Sequence, residues 1–278
     1  METRAALSGH AAAVIADEAE ALAFADLYAA APQPLGSRLG LRVERVADAT
    51  LLLAPGLPSS MFNRAIGLGL RQPASTPEVD NIAAAYRGAG CRDWWLHWNP
   101  HASPAGFPSR LLQMGFTQPA RRSWAKVLRG AEPPPHVPTD LKIAPATDAQ
   151  AAPAIQAIVE AFGMPGLMAE WLGCLHGRPR WRLYAATDGE DVVGGGCLFT
   201  AGELAWLGMG AIRASHRRRG GQGALMARRI ADAAEAGARH VVTETGEPIA
   251  DESNPSLGNM KRCGFATVAS RLNFAGPA

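Results

Sequence analysis

The sequence has no clustered cysteines. Its four, Cys91, Cys174, Cys197 and Cys263, form no C-x-x-C pair and match no zinc spacing. No metal is therefore expected. Single scattered cysteines fit a reducing compartment, where they act as small core residues. No stretch is long and apolar enough to span a bilayer, so no membrane partner is expected. The N-terminal stretch is rich in alanine but carries Glu2, Asp17, Glu18 and Glu20. It lacks a basic segment followed by an apolar one and predicts no signal peptide. Together these absences predict a cytoplasmic protein. A strong excess of one charge is missing too: 27 Lys+Arg face 25 Asp+Glu, a net of +2. That balance argues against a nucleic-acid partner, since such proteins usually show a clear basic excess. Neither a G-x-x-x-x-G-K-[ST] loop nor a G-x-G-x-x-G fingerprint occurs at a helix start. No Ser-His-Asp or Cys-His arrangement has local support.

What is present is ample apolar material, 47% of 278 residues, enough for one large domain or two small ones. Residues 1–30 read as an alanine-rich helix, broken by Pro32, Pro34, Gly36 and Gly40. "LRVERV" and "TLLLAPG" read as two strands around a turn at Ala47–Asp48. Ser75 or Thr76 can cap a helix whose first turn holds Pro77 and whose inward face is Val79, Ile82, Ala83 and Tyr86. "DWWLHW" and "SWAKVLR" read as strands flanking a short helix that ends near Gly115-Phe116. "GAEPPPHVPTD" has the composition of an extended linker. A second series follows: a strand, a helix from Asp148, a further helix, a hairpin turning at Asp188-Gly189, the strand "LAWLGMGAI", a helix from Ala224 to Ala236, "HVVTET", a short helix ending at Gly264-Phe265, and a last strand. Both halves thus close with strand, loop, helix, Gly-Phe, strand. The echo predicts a duplication: residues 1–130, a linker over 131–140, and a second domain over 141–278.

"SHRRRGGQGALMARRI" lies where a strand gives way to a helix. The first N–H groups of a helix have no partner within it, and the helix dipole leaves that end partly positive. Gly220, Gly221 and Gly223 allow close approach of the backbone, so several N–H groups can converge on phosphate oxygens. Arg217, Arg218 and Arg219 add charge-assisted donors. The segment suits a diphosphate. A basic, solvated helix start without a ligand is the competing reading, and His216 reads as a solvated loop residue.

In this context the segment resembles the pyrophosphate loop of the GNAT superfamily of acyl-CoA-dependent N-acyltransferases, [QR]-x-x-G-x-[GA]. Two registers fit, one starting at Arg218 and ending at Gly223 in full, the other starting at Arg217 and ending at Gln222, with Gln in place of the last Gly or Ala. The resemblance covers residues 141–274. It implies an α/β (α+β) fold of two GNAT-like domains, each a mixed, mostly antiparallel sheet flanked by helices. Parallel strands would splay apart in the C-terminal copy, and the first copy would be degenerate. It also implies acetyl-CoA, or another short acyl-CoA, as co-substrate. The cofactor would be bound by Gly210, Ile212, Arg217 to Arg219, Gly220, Gly221, Gln222, Gly223, Ala224, Asn254 and Ser256.

The implied reaction is transfer of an acetyl or short acyl group to a primary amine, on a small molecule or a protein, by direct attack on the thioester. Backbone N–H groups from Met209 to Ile212 would polarise the carbonyl, and Gly208 and Gly210 suit a bulged strand. Glu244, a carboxylate in an otherwise apolar strand, is the preferred base; Glu203 is the other candidate and reads as a solvated hairpin charge. The family's usual thiolate-protonating Tyr falls here on Met260, which cannot donate a proton. A sensor or pseudo-enzyme that binds acyl-CoA is therefore the alternative function, and a nucleic-acid binder using the arginine cluster a weaker one. Trp94, Trp95 and Trp98, with His97, suit core packing better than a stacking platform.

Overall fold

The computed structural model describes residues 7–249 and 253–277. Its first half contains α1 (Gly9–Ala30), α2 (Gln33–Leu39), β1 (Arg42–Val46), β2 (Ala49–Leu53), β3 (Arg64–Ile66), α3 (Thr76–Ala89), β4 (Trp95–Trp98), α4 (Phe107–Gln113) and β5 (Ser123–Gly130). The second half contains β6 (Lys142–Pro145), α5 (Asp148–Phe162), α6 (Leu167–Gly173), β7 (Trp181–Asp188), β8 (Asp191–Ala201), β9 (Leu204–Ile212), α7 (Gly221–Glu235), β10 (His240–Gly246), α8 (Pro255–Arg262) and β11 (Ala266–Ala275).

All these strands form one sheet in the order β1-β2-β3-β4-β11-β5-β10-β9-β8-β7-β6. Two neighbouring pairs run parallel, β3 with β4 and β9 with β10; the remaining pairs are antiparallel. The two halves are interleaved at the centre. β5 inserts between β10 and β11, while β11 inserts between β4 and β5. Each half therefore lends the other a strand.

Alternation along the strands assigns the layers, because successive side chains leave opposite faces. Phe199, Trp206 and Val242 share a core with Phe24 and Leu27 of α1, Ile155 and Ile158 of α5, and Trp171 of α6. Their neighbours Leu198, Leu207 and Val241 share another with Leu225, Met226 and Ile230 of α7 and Met260 of α8. Leu51, Leu53 and Leu96 pack with Val79 and Ile82 of α3. So α1, α5 and α6 cover one face, and α3, α7 and α8 the other. Trp94 and Trp98 are buried in the α3 core, with Trp94 stacked on Tyr86.

Three elements differ from the sequence expectation. Pro34 falls inside the first turn of a helix, α2, since proline is tolerated there, where its missing N–H has no partner to lose. β3 is only three residues long and has no alternation to betray it. α7 begins at Gly221, three residues before Ala224, so the glycines form its first turn.

Candidate functional site

Backbone pairing of β9 with β10 covers Leu204 to Trp206 against His240 to Val242 and then stops. β9 continues to Ile212 on β8, and β10 continues to Gly246 on β5. The two parallel strands part, as the resemblance implies for the C-terminal copy. Side chains bridge the start of the gap on both faces. Thr243 Oγ1 donates to Leu207 O at 2.7 Å. On the α1 face, Trp206 Nε1 donates to Glu244 Oε2 and Oε1 at 3.0 and 3.2 Å.

The β8–β9 register slips between Gly195 and Cys197, opposite Gly208 to Ala211. Met209 there takes φ 54°, a left-handed conformation uncommon for a non-glycine residue. Such a bulge re-aims backbone groups. Met209 and Gly210 pair with neither neighbouring strand. Side chains of the following segment reach back to this stretch: Gln222 Nε2 donates to Gly210 O at 3.0 Å, and Arg217 Nε to Ile212 O at 3.3 Å.

The start of α7 is built as an open N-terminus. Gly220 is its N-cap, in a left-handed conformation at φ 77°, with no side-chain cap. Among the described residues, the N–H groups of Gly220, Gly221, Gln222 and Gly223 meet no acceptor; the N–H of Ala224 donates to Gly220 O. Arg217, Arg218 and Gly220 are exposed. Four unpaired donors at the positive end of a helix, flanked by two exposed guanidinium groups, are the kind of donor set that suits an anion. The first half offers a contrast. There Ser75 and Glu78 make a capping box at the start of α3, with Ser75 N donating to Glu78 Oε2 at 2.8 Å. There the carboxylate of the chain itself satisfies donors that the start of α7 leaves free.

The linker, expected to be a mere spacer, is part of the scaffold. A side chain at Gly220 would collide with Pro138 O, and one at Gly223 would lie 3.0 Å from Val137 Cγ1. Arg219 turns to this side. It bonds Asp140 through Nε and Nη2, at 2.6 Å for the closest contact, and Asp188 through Nη1 at 2.6 Å. Those hydrogen bonds hold both carboxyls below their ordinary value and push the Arg219 guanidinium up. Nothing in the sequence marks Asp140 and Asp188 as partners, since 79 and 31 residues separate them from Arg219.

Ile212 is buried with Leu141 and Val193. Asn254 caps α8: its Oδ1 accepts from Leu257 N at 2.9 Å, and its Nδ2 donates to Gly246 O at 2.8 Å. That second bond ties α8 to the open end of β10. Ser256 is half-buried in the first turn of α8. Met260 is 4% exposed and lies in the α7 core. Cys263 is buried beside it, its thiol 3.8 Å from Gly223 O. Glu203 is a solvated charge paired with Arg239.

Glu244 lies at one end of a buried ionic network that sequence reasoning missed. Lys126 of β5 donates to both Glu244 Oε2 and Glu20 Oε2, at 2.8 Å each. Glu20, from α1, also meets Arg64 at 2.7 Å and Arg271 at 2.6 Å. Burial pushes the Glu20 carboxyl up, but the charges of Arg271, Lys126 and Arg64 together overcome that and hold it well below its ordinary value. Asp17, with Arg271 at 3.2 Å, is raised because burial outweighs its partners. His97, fully buried nearby, is pushed well down by burial and by the cations around it.

No family model matches the sequence, and no curated protein matches it. Solved structures do share its fold. A GCN5-related N-acetyltransferase from Kribbella flavida is 17% identical with a TM-score of 0.66, covering 95% of this chain and 96% of that one. A GCN5-related N-acetyltransferase from Sphaerobacter thermophilus is 18% identical with a TM-score of 0.60, covering 87% and 84%. A tandem GNAT protein from the clavulanic acid biosynthesis pathway is 16% identical with a TM-score of 0.58, covering 83% and 79%. The parted parallel strands, the bulge and the uncapped helix start thus sit within a tandem GNAT fold, the fold of the GCN5-related N-acetyltransferases.

Proposed function

We propose that this protein transfers an acetyl or short acyl group from acyl-CoA to a primary amine. One observation carries the reading: the donor-rich start of α7 stands directly after the half of β9 that has parted from β10. Arg217, Arg218 and the N–H groups of Gly220 to Gly223 are suited to a diphosphate. The gap offers backbone that neither neighbouring strand pairs, at Met209 and the Gly210 N–H, to an extended pantetheine arm, much as an edge strand offers itself to a peptide.

The thioester supplies an electrophilic carbonyl. The N–H groups of the bulge supply donors where negative charge develops on its oxygen. Glu244 is assigned to the acceptor, as the carboxylate that receives the amine and takes its proton directly or through water. Its Oε2 is occupied by Lys126 and Trp206, which leaves Oε1 with the longer indole contact. Gln222 acts on the cofactor through its N–H, because its side chain holds Gly210. Asn254 acts by fixing α8 to Gly246. The domain assignment is retained in this reading: residues 141–278 bind acyl-CoA, 131–140 brace the loop, and 1–130 are a copy without a phosphate site.

Burial of Met260 in the α7 core and the cover of α1 over the far face of the gap favour a second reading, a sensor that binds acyl-CoA without rapid turnover. Calorimetry with acetyl-CoA and a thiol-release assay across small amines and peptide amines separate the two. Binding with release supports the transferase; binding without release on any amine supports the sensor. Absence of acetyl-CoA binding sinks both.

A further inference from the structure

Arg229, on α7, is 2% exposed and makes no ion pair among the described residues. Its donors go to backbone carbonyls alone. Nε reaches Leu225 O at 3.1 Å, and Nη1 reaches Cys197 O on β8 at 3.1 Å and Gly208 O on β9 at 3.0 Å. Burying a cation without a counter-charge is unfavourable, and burial pushes this guanidinium down to about 10. The sheet makes room for it. A side chain at Gly210 would lie 2.6 Å from Nη2, and one at Gly196 would lie 3.1 Å from Cζ. An apolar residue would fill the place between α7 and the sheet at lower cost, so the cation calls for a reason.

Its position supplies one. The carbonyl of Gly208 and the N–H of Met209 belong to the same planar peptide and point in opposite directions. The guanidinium lies where Gly208 meets β8, so the Met209 N–H points away from β8, to the side on which β10 has parted. A charged donor on a carbonyl polarises its peptide and makes the opposite N–H a stronger donor. Met209 is also the residue held at φ 54°.

We propose that Arg229 is a positioning residue for acyl transfer: its guanidinium fixes and polarises the Gly208–Met209 peptide, so that the Met209 N–H meets the charge developing on the thioester oxygen. The inference rests on the transferase reading above. In the step concerned, the amine lone pair forms the new C–N bond while the carbonyl π pair moves to oxygen. That pair then returns as the C–S bond breaks with its electrons on sulfur. The amine's proton leaves through Glu244 or water and ends on the thiolate.

The test uses the full chain, labelled at methionine amides, as wild type, Arg229→Lys and Arg229→Met. In Arg229→Met, kcat is expected to fall about 10- to 100-fold while acetyl-CoA affinity stays within about twofold. The Met209 amide signal should move upfield and its hydrogen exchange should quicken. Arg229→Lys should recover part of both. A loss that tracks acetyl-CoA affinity, an unmoved Met209 signal, or a lysine variant no better than methionine would overturn the proposal. Should Arg229→Met not fold, Gly196→Ala presses on the guanidinium from β8 and should give the same split of kcat from affinity; unchanged kcat there would count against it. Wild type that binds acetyl-CoA and releases no thiol on any amine removes the transferase reading and this inference with it. Wild-type turnover with an indifferent Arg229 removes the inference alone.

Discussion

Trp206 on β9 reaches across the place where backbone pairing ends and donates to Glu244 on β10 at 3.0 Å. The indole passes over Gly208, where a side chain would collide with its ring, and Phe24 of α1 meets it edge-on at 5.3 Å between centroids. One side chain thus joins the two diverging strands, closes the α1 face of the gap and fixes the carboxylate proposed to meet the acceptor.

Trp206→Phe keeps an aromatic ring against Phe24 but removes the indole donor. Leaving Glu244 with Lys126 as its main partner is expected to cost about 1–3 kcal/mol in chemical denaturation. Amine KM should rise more than acetyl-CoA KM, because Glu244 faces the acceptor in this reading. Glu244→Gln, which keeps the shape, should lower kcat about 100-fold with little change in acetyl-CoA affinity, as calorimetry and thiol release together would show. A Glu244→Gln variant with undiminished kcat would remove Glu244 from the proton path.

Glu20→Gln should destabilise the fold by about 3–5 kcal/mol, since Arg64, Lys126 and Arg271 would lose the carboxylate they share. The pH dependence has a definite sign. The folded-state pKa of Glu20 lies well below 4.5, so its contribution is fully present above about pH 4.5 and is lost as pH falls towards the folded value. Asp17, raised in the folded state, works in the opposite direction and favours folding once protonated. Urea midpoints measured from pH 7 down to pH 3 should fall more steeply in wild type than in Glu20→Gln.

The arginines of the loop divide by partner. Arg217→Ala and Arg218→Ala should each weaken acetyl-CoA binding about 10-fold, with a salt dependence that shrinks in the double variant. Arg219→Ala should act on the linker instead: its loss frees Asp140 and Asp188 and exposes residues 131–140 to limited proteolysis. Gly220→Ala should do both, because it strains a left-handed residue and strikes Pro138 O. Equal effects of all three arginines on binding would contradict this division.

Much of this fold is written in local signals. The capping box at Ser75, the Asp188-Gly189 hairpin and the glycine that closes α5 each act within a few residues, and each element appears where those signals set it. The bulge was legible from Gly208 and Gly210, and the uncapped start of α7 from its glycines and arginines. What the sequence hides is pairing at a distance. Lys126 looks like a charged residue spoiling an apolar strand until Glu20 arrives from 106 residues away. Arg229 looks like one more exposed helix arginine, and only the missing side chains at Gly196 and Gly210 hint at the space it takes. The strand exchange is invisible for the same reason. β5 and β11 carry ordinary strand patterns, and nothing local says which half they join.

That exchange makes a last prediction. β5 lies between β10 and β11, paired with both, so residues 1–130 hold a strand that the second half needs. β11 pairs in turn with β4, so the first half needs residues 266–275. Glu20 adds to the dependence, since Arg271, across the junction, is among its three cationic partners. Residues 1–135 and 136–278 produced separately should each fail to show a cooperative unfolding transition, for each lacks an interior strand and buries unpaired charge. Produced together, they should assemble into a one-to-one complex that binds acetyl-CoA as the intact chain does. If residues 136–278 alone fold cooperatively and bind acetyl-CoA, the second half is a self-sufficient unit and the exchanged strand is a late docking contact.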